Sequence, residues 1–316
     1  MNDIVWRSAK LVLVLNIYTM KLIKTIHDFN KTFTTEDDCR IYIGNEKWKK
    51  GYACIRCGCQ DYTKGRSLHY RRCVACKYDE SPTANTLFHK CKMGLINALA
   101  IVYRISSRTK GTSSTELAKE LGIQQKTAWY FRQKVMRTMD QDSELLKDEV
   151  MVDEFVVEQE EPCKRGRSLG KKKRAFIILE KTKHNKNGKL HVYAIENYQA
   201  ETLSVPMEKH IDKNAQVNTD GYSSYATLKN KFIHLTQILS DNGKSHPQIH
   251  IQIMNLKAWI RGIHNHISLK YFQYYLNEFC YRFNNRNRKY TKFTVLLKKI
   301  INMHPIPIKS LILYAN

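Results

Sequence analysis

The chain has 316 residues, 42% of them hydrophobic and 10% aromatic, enough for two or three domains with a sizeable core and too apolar for a disordered chain. Its 53 Lys+Arg against 29 Asp+Glu leave a net charge of +24, which favours a polyanionic partner, nucleic acid before an anionic membrane surface. The apolar run LVLVLNIYTM, residues 11 to 20, falls short of the ~20 residues of a spanning helix, and no small-residue cleavage site follows it.

No membrane association or export is therefore expected. The expected compartment is the cytoplasm of a bacterium, or the nucleus in a eukaryotic host. Met20 opens a better-behaved segment, MKLIKTIHDF, so residues 1–19 read as an upstream extension and residues 1–30 as a leader.

Residues 31–92 form a first small unit. Thr35, before the acidic run EDD, is placed to cap a helix. CIRC and CVAC then supply Cys54, Cys57, Cys73 and Cys76, with fifteen residues between the pairs. A two-residue gap lets both thiolates of a knuckle face one tetrahedral ion, so a zinc ribbon with structural zinc is expected. Cys59, in CGC, is an alternative ligand. Cys39, Cys91, Cys163 and Cys280 read as packing residues. Trp48 and Tyr52 are expected to cover this small core, with Tyr70 packed behind the ion. Arg56, Lys64, Arg66, Arg71 and Arg72 either meet phosphates or solvate the surface.

Residues 93–142 carry helical patterning. In GTSSTELAKELGIQQKTAWYFRQKVMRTM, Ser113 or Ser114 caps a helix with Leu117, Ala118 and Leu121 on one face. Gly122 permits a left-handed turn, and Ala128, Phe131, Val135 and Met139 line the inner face of the next helix. This is a helix-turn-helix pattern, whose second helix would enter a major groove. Gln124, Gln125, Lys126 and Thr127 at its start, and Arg132 further along, are the expected DNA contacts.

From residue 146 strands take over. DEVMVDEFVVE, RAFIILE and LHVYAIEN read as an antiparallel meander. Between the first two lies PCKRGRSLGKKKR, whose Lys164, Arg165 and Arg167 suit either a solvated hairpin tip or a phosphate-binding arm. A helix near AETLSVPMEKHI, a strand ending at Asp220, and two helices around HPQIHIQIMNLKAWIRGI and SLKYFQYYLNEFCYRFNNR complete the domain. The carboxylates inside VMVDEFVVE need a partner, since burying charge is costly. Asp153 in that strand and Asp220, 67 residues on, would together invite divalent ions if they meet at a switch point of the sheet. The competing reading makes Asp220 the start of an Asp-Gly turn and puts Asp153 and Glu154 on an exposed edge.

The order of these parts resembles Merlin-related bacterial insertion-sequence transposases of the DDE superfamily. The matching pieces are CIRCG…CVAC, SSTELAKELGIQQKTAWY, VDEFVVE, NTDGYSSY and NLKAWIRG…YYLNEFCYRFNNR. The resemblance implies a multidomain α/β chain: zinc ribbon, helix-turn-helix, then an RNase H-like mixed sheet flanked by helices over residues 146–290, with 291–316 a C-terminal tail. It also implies Mg-dependent strand cleavage and strand transfer, with two Mg²⁺ or Mn²⁺ ions held by Asp153 and Asp220. The implied partners are double-stranded DNA, both element terminal inverted repeats and target, and a second copy of the chain in a dimer or larger assembly. Glu154, on the opposite strand face, is the lesser ligand.

At the third catalytic position the sequence departs from the many relatives with glutamate. Lys257 fits the lysine that follows it, but seven residues earlier stands His250. Relatives with asparagine there point to Asn255, with His250 in reserve. On a regular helix Asn255 and Lys257 lie roughly 200° apart, so they would not share a face. Lys257 would contact a phosphate near the cut. Glu278 and Arg282, at i and i+4, read as an ion pair. Two alternatives remain: a catalytically inactive or repurposed DNA-binding protein, and an RNase H-like nuclease that cuts without joining.

Overall fold

A computed structural model of the chain describes residues 22–67, 69–140, 144–157, 173–182, 184, 186–238, 246–264, 267–288 and 290–313. The expected phosphate-binding arm, Lys164, Arg165 and Arg167, lies outside the described residues, as do Cys163 and residues 1–19. The chain divides into two compact units. One runs through Thr138 and also takes Arg288–Leu313; the other spans Met139–Asn287.

The first unit opens with α1 (Ile26–Thr32) and α2 (Glu36–Lys47), each begun by a capping box. Thr35 accepts from the Asp38 amide while the Asp38 carboxylate accepts from the Thr35 amide, satisfying donors that the helix itself leaves free. Helix α1 begins within the stretch read as a leader, yet Phe29 is buried, its ring against Phe33, Tyr103 and Phe293. A three-stranded antiparallel sheet follows, β1 (Tyr62–Lys64), β2 (Arg71–Cys73) and β3 (Asp79–Glu80).

Helix α3 (Leu95–Ser107) is apolar on nearly every side and buries Leu95, Leu99, Ile101, Val102 and Ile105, as befits a helix with neighbours all round. The residue just before it, Gly94, has φ +85° and offers no capping side chain. The Glu36 carboxylate of α2 supplies the cap, accepting from the amides of Leu95 at 2.8 Å and Ile96 at 3.2 Å, where the helix dipole also favours an anion.

Helices α4 (Ser114–Leu121) and α5 (Gln125–Thr138) form the helix-turn-helix. Ser113 caps α4, Gly122 adopts φ +62° at the turn, and Ala128, Phe131, Val135 and Met139 are buried as the periodicity requires. Arg104 and Arg108 of the α3 end bind Glu116 and Glu120 of α4, clamping the two helices. Late in the chain α9 (Lys292–Ile301) packs on α2, α3 and α5 and buries Phe293, Leu296, Leu297 and Ile300. A short α10 (Ile308–Leu313) ends the unit.

The second unit is built on five strands: β4 (Glu149–Val156), β5 (Arg174–Lys181), β6 (Asn187–Ile195), β7 (Gln216–Thr219) and β8 (Leu235–Gln237). They lie in the order β6-β5-β4-β7-β8. The first three form the antiparallel meander, while β7 runs parallel to β4 and β8 parallel to β7. Three antiparallel strands followed by two parallel ones on the far side of the first make an RNase H-like sheet. α6 (Ala200–His210), a 3-10 stretch (Ser223–Asn230) and the side chains of Val150, Val152, Phe176, Ile178 and Val217 enclose the core on one face. α7 (Pro247–Ile263) covers β4 and β5 on the other, and α8 (Leu269–Asn284) covers β6.

Strand β6 is an edge, and exposed edges invite pairing with other chains. Helix α8 closes it with side-chain amides. Asn284 both accepts from the Leu190 amide and donates to its carbonyl, at 2.8 and 2.9 Å. Gln273 does likewise for the Ala194 amide and the Val192 carbonyl. Among the described residues no helix is long and apolar enough to cross a membrane.

Candidate active site

Strand pairing decides which side chains of β4 and β7 share a face. The two strands run parallel with Glu149 opposite Gln216, Val150 opposite Val217 and Met151 opposite Asn218. Continued by two residues, that register sets Asp153 beside Asp220. Partners in a parallel register point to the same face, and neighbouring strands lie about 4.8 Å apart. Val150 and Val217 both enter the core on the α6 face, so Asp153 and Asp220 project on the opposite face, beneath α7. Asp220 follows the last residue of β7 directly, and its Oδ1 accepts from the Tyr222 amide at 3.1 Å.

The neighbouring carboxylate points the other way. Glu154 reaches the α6 face, where the buried Tyr225 hydroxyl donates to its Oε2. Burial first, then the charges of Glu154, Asp153 and Asp220, push the Tyr225 phenol well above its usual pKa, so it stays a neutral donor. This bond ties the strand of Asp153 to the segment just after Asp220. Sequence reading singled out neither Tyr225 nor the bond; the spacing in DGYSSY carries no hint of a partner 71 residues earlier.

Helix α7 brings His250 to Asp153. Pro247 at the first turn starts the helix immediately after His246. His250 Nδ1 stands 3.7 Å from Asp153 Oδ2, with Asp153 only 16% exposed and His250 39%. His246 lies one turn earlier, and its buried Nε2 has no hydrogen-bond partner among the described residues. Burial lowers the His246 pKa, the cationic neighbourhood of His250 and Lys181 adds to that, and Glu149 and Asp220 oppose it. Lys257 sits with its Nζ 5.7 Å from the Phe155 ring centroid. Its pKa is lowered by burial and then by Arg261, against the attraction of Asp153.

Asn255, the first candidate for the third position, is exposed on α7. It follows His250 by five residues, roughly 140° further round the helix, whereas Lys257 at seven residues returns to the inner face. The structure sets His250 against Asp153, and the β4–β7 register carried two residues past Met151 and Asn218 sets Asp220 on the same face. An imidazole and two carboxylates are a competent donor set for a divalent ion, and the orphaned His246 Nε2 is a further nitrogen close by. The set is open: among the described residues, only the four cysteines gather three or more such donors within 4.8 Å of one another.

Those cysteines make a second, closed site. Cys54 Sγ lies 3.5 Å from Cys76 Sγ and Cys57 Sγ 3.5 Å from Cys73 Sγ. Tetrahedral zinc with Zn–S of about 2.3 Å has sulfur–sulfur edges of about 3.8 Å, so the four thiols stand close to zinc geometry and far from disulfide length. Burial pushes the Cys54 thiol up, but the amides of Arg56 and Cys57 outweigh it and bring it to about 6, near the thiolate that a metal requires. Tyr52 and Trp48 cover this small core as expected. The tyrosine packed against the ligand cysteines is Tyr78, however, rather than Tyr70, whose ring lies under Arg66 instead. Cys59 borders the cluster and donates to the Asp61 carbonyl, outside the four.

Of the expected DNA contacts, Gln124, Gln125 and Lys126 are exposed at the start of α5, and Thr127 is half-buried. Arg132 corrects the expectation. It is 1% exposed, because it falls four residues after Ala128 and one after Phe131, on the inner stripe of α5. That stripe was legible in the same periodicity that placed Val135 inside.

Residues 145–284 match the family model of the ISXO2-like transposase domain. This segment is similar to insertion-sequence transposase domains. The matched range runs from just before β4 to the end of α8, so the match coincides with the sheet that carries Asp153 and Asp220 and the helices that cover it. No curated protein matches the chain.

Proposed function

We propose that the protein is a DNA transposase that binds element ends and performs metal-dependent strand cleavage and strand transfer, with Asp153, Asp220 and His250 as the catalytic triad and Lys257 beside them. The observation that carries this reading is the parallel β4–β7 register, which directs Asp153 and Asp220 to one face under the His250-bearing side of α7.

Divalent ions held by Asp153 and Asp220 would supply activation of the attacking oxygen and stabilisation of the leaving one. His250 occupies the place of the usual third acid, and α7 offers no Asp or Glu to take it. Lys257, held at the rim by Phe155, neutralises the phosphate being cut. Tyr225 and Glu154 keep the two aspartate-bearing segments in register. Zinc in the Cys54–Cys57–Cys73–Cys76 site would hold the ribbon folded. The ribbon and the exposed start of α5 would engage element ends, helped by the +24 charge of the chain. Joining two DNA ends requires two active sites, so a dimer or larger assembly follows from the reaction.

The test incubates purified protein with Mg²⁺ or Mn²⁺, a labelled element end and a supercoiled target plasmid. Joined product is expected. Cleavage without joining would make the protein a nuclease. Retarded but intact DNA would make it a binding protein, the reading that the missing third acid favours.

A further inference from the structure

The first unit carries a cavity of about 320 Å³ between α2 and the strands β1 and β2, lined by Trp48, Tyr62, Lys64, His69, Tyr70 and Arg71. In the antiparallel register Lys64 stands opposite Arg71 and Tyr62 opposite Cys73, and alternation along each strand puts all four on one face. Like charges directly opposite weaken a strand pair, so the Lys64–Arg71 juxtaposition calls for an anion. The protein supplies few. Among the described residues no carboxylate lines the cavity, and at its rim Arg40 and His69 share Asp37, at 2.7 and 3.9 Å. Arg71 also pairs in register with Glu80 of β3, but that buried carboxylate holds Lys47 at 2.6 Å. The other cations of the ribbon are engaged elsewhere: Arg66 and Arg72 meet Asp79, and Arg56 lies 4.0 Å from the Tyr78 ring centroid.

The aromatic lining fits a base as well as a phosphate. The Arg71 guanidinium lies 4.4 Å from the Trp48 ring centroid and 4.2 Å from that of Tyr62, so two rings hold it in place. Tyr62 nevertheless remains 46% exposed. A fixed cation beside an exposed ring is the pairing by which single strands are bound: the cation meets the phosphate, and a base stacks on the ring. Bases inside a duplex stack on one another and offer no such face. The volume suits one small ligand, near the lower end of the roughly 300–1,000 Å³ of such sites. We propose that this pocket takes one unpaired nucleotide of a DNA strand, its phosphate on Lys64 and Arg71 and its base on Tyr62. This deepens the transposase reading and rests on it, since cutting an element end leaves strand termini, where pairing is weakest.

The experiment uses the full-length, zinc-loaded protein and reads the fluorescence anisotropy of labelled DNA. The probes are a short oligothymidylate, an abasic oligomer with the same number of phosphates, and a blunt duplex. The oligothymidylate should bind more tightly than its abasic counterpart by roughly fivefold or more, the worth of one stacked base. Tyr62→Leu should remove that margin, and Tyr62→Phe, which retains the ring, should keep it. Lys64→Ala should weaken both single strands and flatten the salt dependence of log K by about 0.7, the share of one phosphate on a single strand. All three variants should hold one zinc per chain by native mass spectrometry, and Tyr62→Leu should bind the duplex as the parent does, which separates loss of the pocket from loss of the ribbon fold. Equal affinity of the parent for the two single strands, a margin that survives Tyr62→Leu, or a salt slope unchanged in Lys64→Ala would overturn this inference and leave the transposase reading standing. Failure of the parent to bind DNA in any form would overturn both.

Discussion

Tyr225 shows how much can depend on one hydroxyl. Its bond to Glu154 is buried and charge-assisted, and Tyr225→Phe is expected to cost about 1.5–3 kcal/mol, measured by denaturant unfolding. The pH dependence has a definite sign. Its pKa in the folded protein lies above the unfolded value near 10, so the stability that it contributes is complete below pH 10 and is lost as pH rises beyond it. Tyr225→Phe should accordingly flatten part of the alkaline fall in stability. In the ribbon, Lys47 Nζ meets the fully buried Glu80 carboxylate at 2.6 Å. Lys47→Met would strand that charge and cost about 3–5 kcal/mol, whereas replacing both residues by apolar ones should cost far less, a comparison open to thermal denaturation. At this scale the sequence was an uneven guide. The Cys54–Cys76 set and the Thr35 cap follow from short spacings, and Glu278–Arg282 is an ion pair at 3.0 Å as the i, i+4 spacing suggested. Glu154–Tyr225 joins residues far apart in the chain, which no local pattern encodes.

Elements were more legible than their contacts. The alternation and apolar runs of β4, β5 and β6 and the 3.6-residue stripes of α4 and α5 placed them correctly, because burial imposes those periods directly. Which strand pairs with which is a tertiary matter. The parallel docking of β7 against β4 decides the geometry of the candidate site and cannot be read from either strand alone. Helix phase puts Lys257 on one face with His250 and not with Asn255. The role of α8 in closing the β6 edge was not visible, because Gln273 and Asn284 look like ordinary solvated amides. Asn284→Ala should leave the Leu190 amide and carbonyl unpaired. Faster hydrogen exchange at Leu190, with a loss of about 1–3 kcal/mol, is the expected outcome; unchanged protection would mean that the edge needs no cover.

At the scale of the whole molecule, one chain combines a helix-turn-helix and a ribbon whose four cysteines could hold a metal ion in one unit with a segment that matches a transposase domain in the other. Small ribbons lean on their ion for stability. One zinc per chain is expected by native mass spectrometry, and strong chelation or Cys57→Ser should melt the ribbon while leaving the RNase H-like sheet's circular-dichroism signature in place. Residues 291–316 read as a C-terminal tail, yet α9 packs in the first unit with Phe293, Leu296, Leu297 and Ile300 buried, a return that composition did not signal.

The most direct test compares the parent protein with Asp153→Asn and Asp220→Asn in single-turnover cleavage of a labelled element end, at DNA concentrations that give equal occupancy by gel retardation. Both variants should bind DNA as the parent does and cleave it at least roughly a hundredfold more slowly. Cleavage at the parental rate by either variant would contradict the assignment of this paired-aspartate face as the catalytic centre.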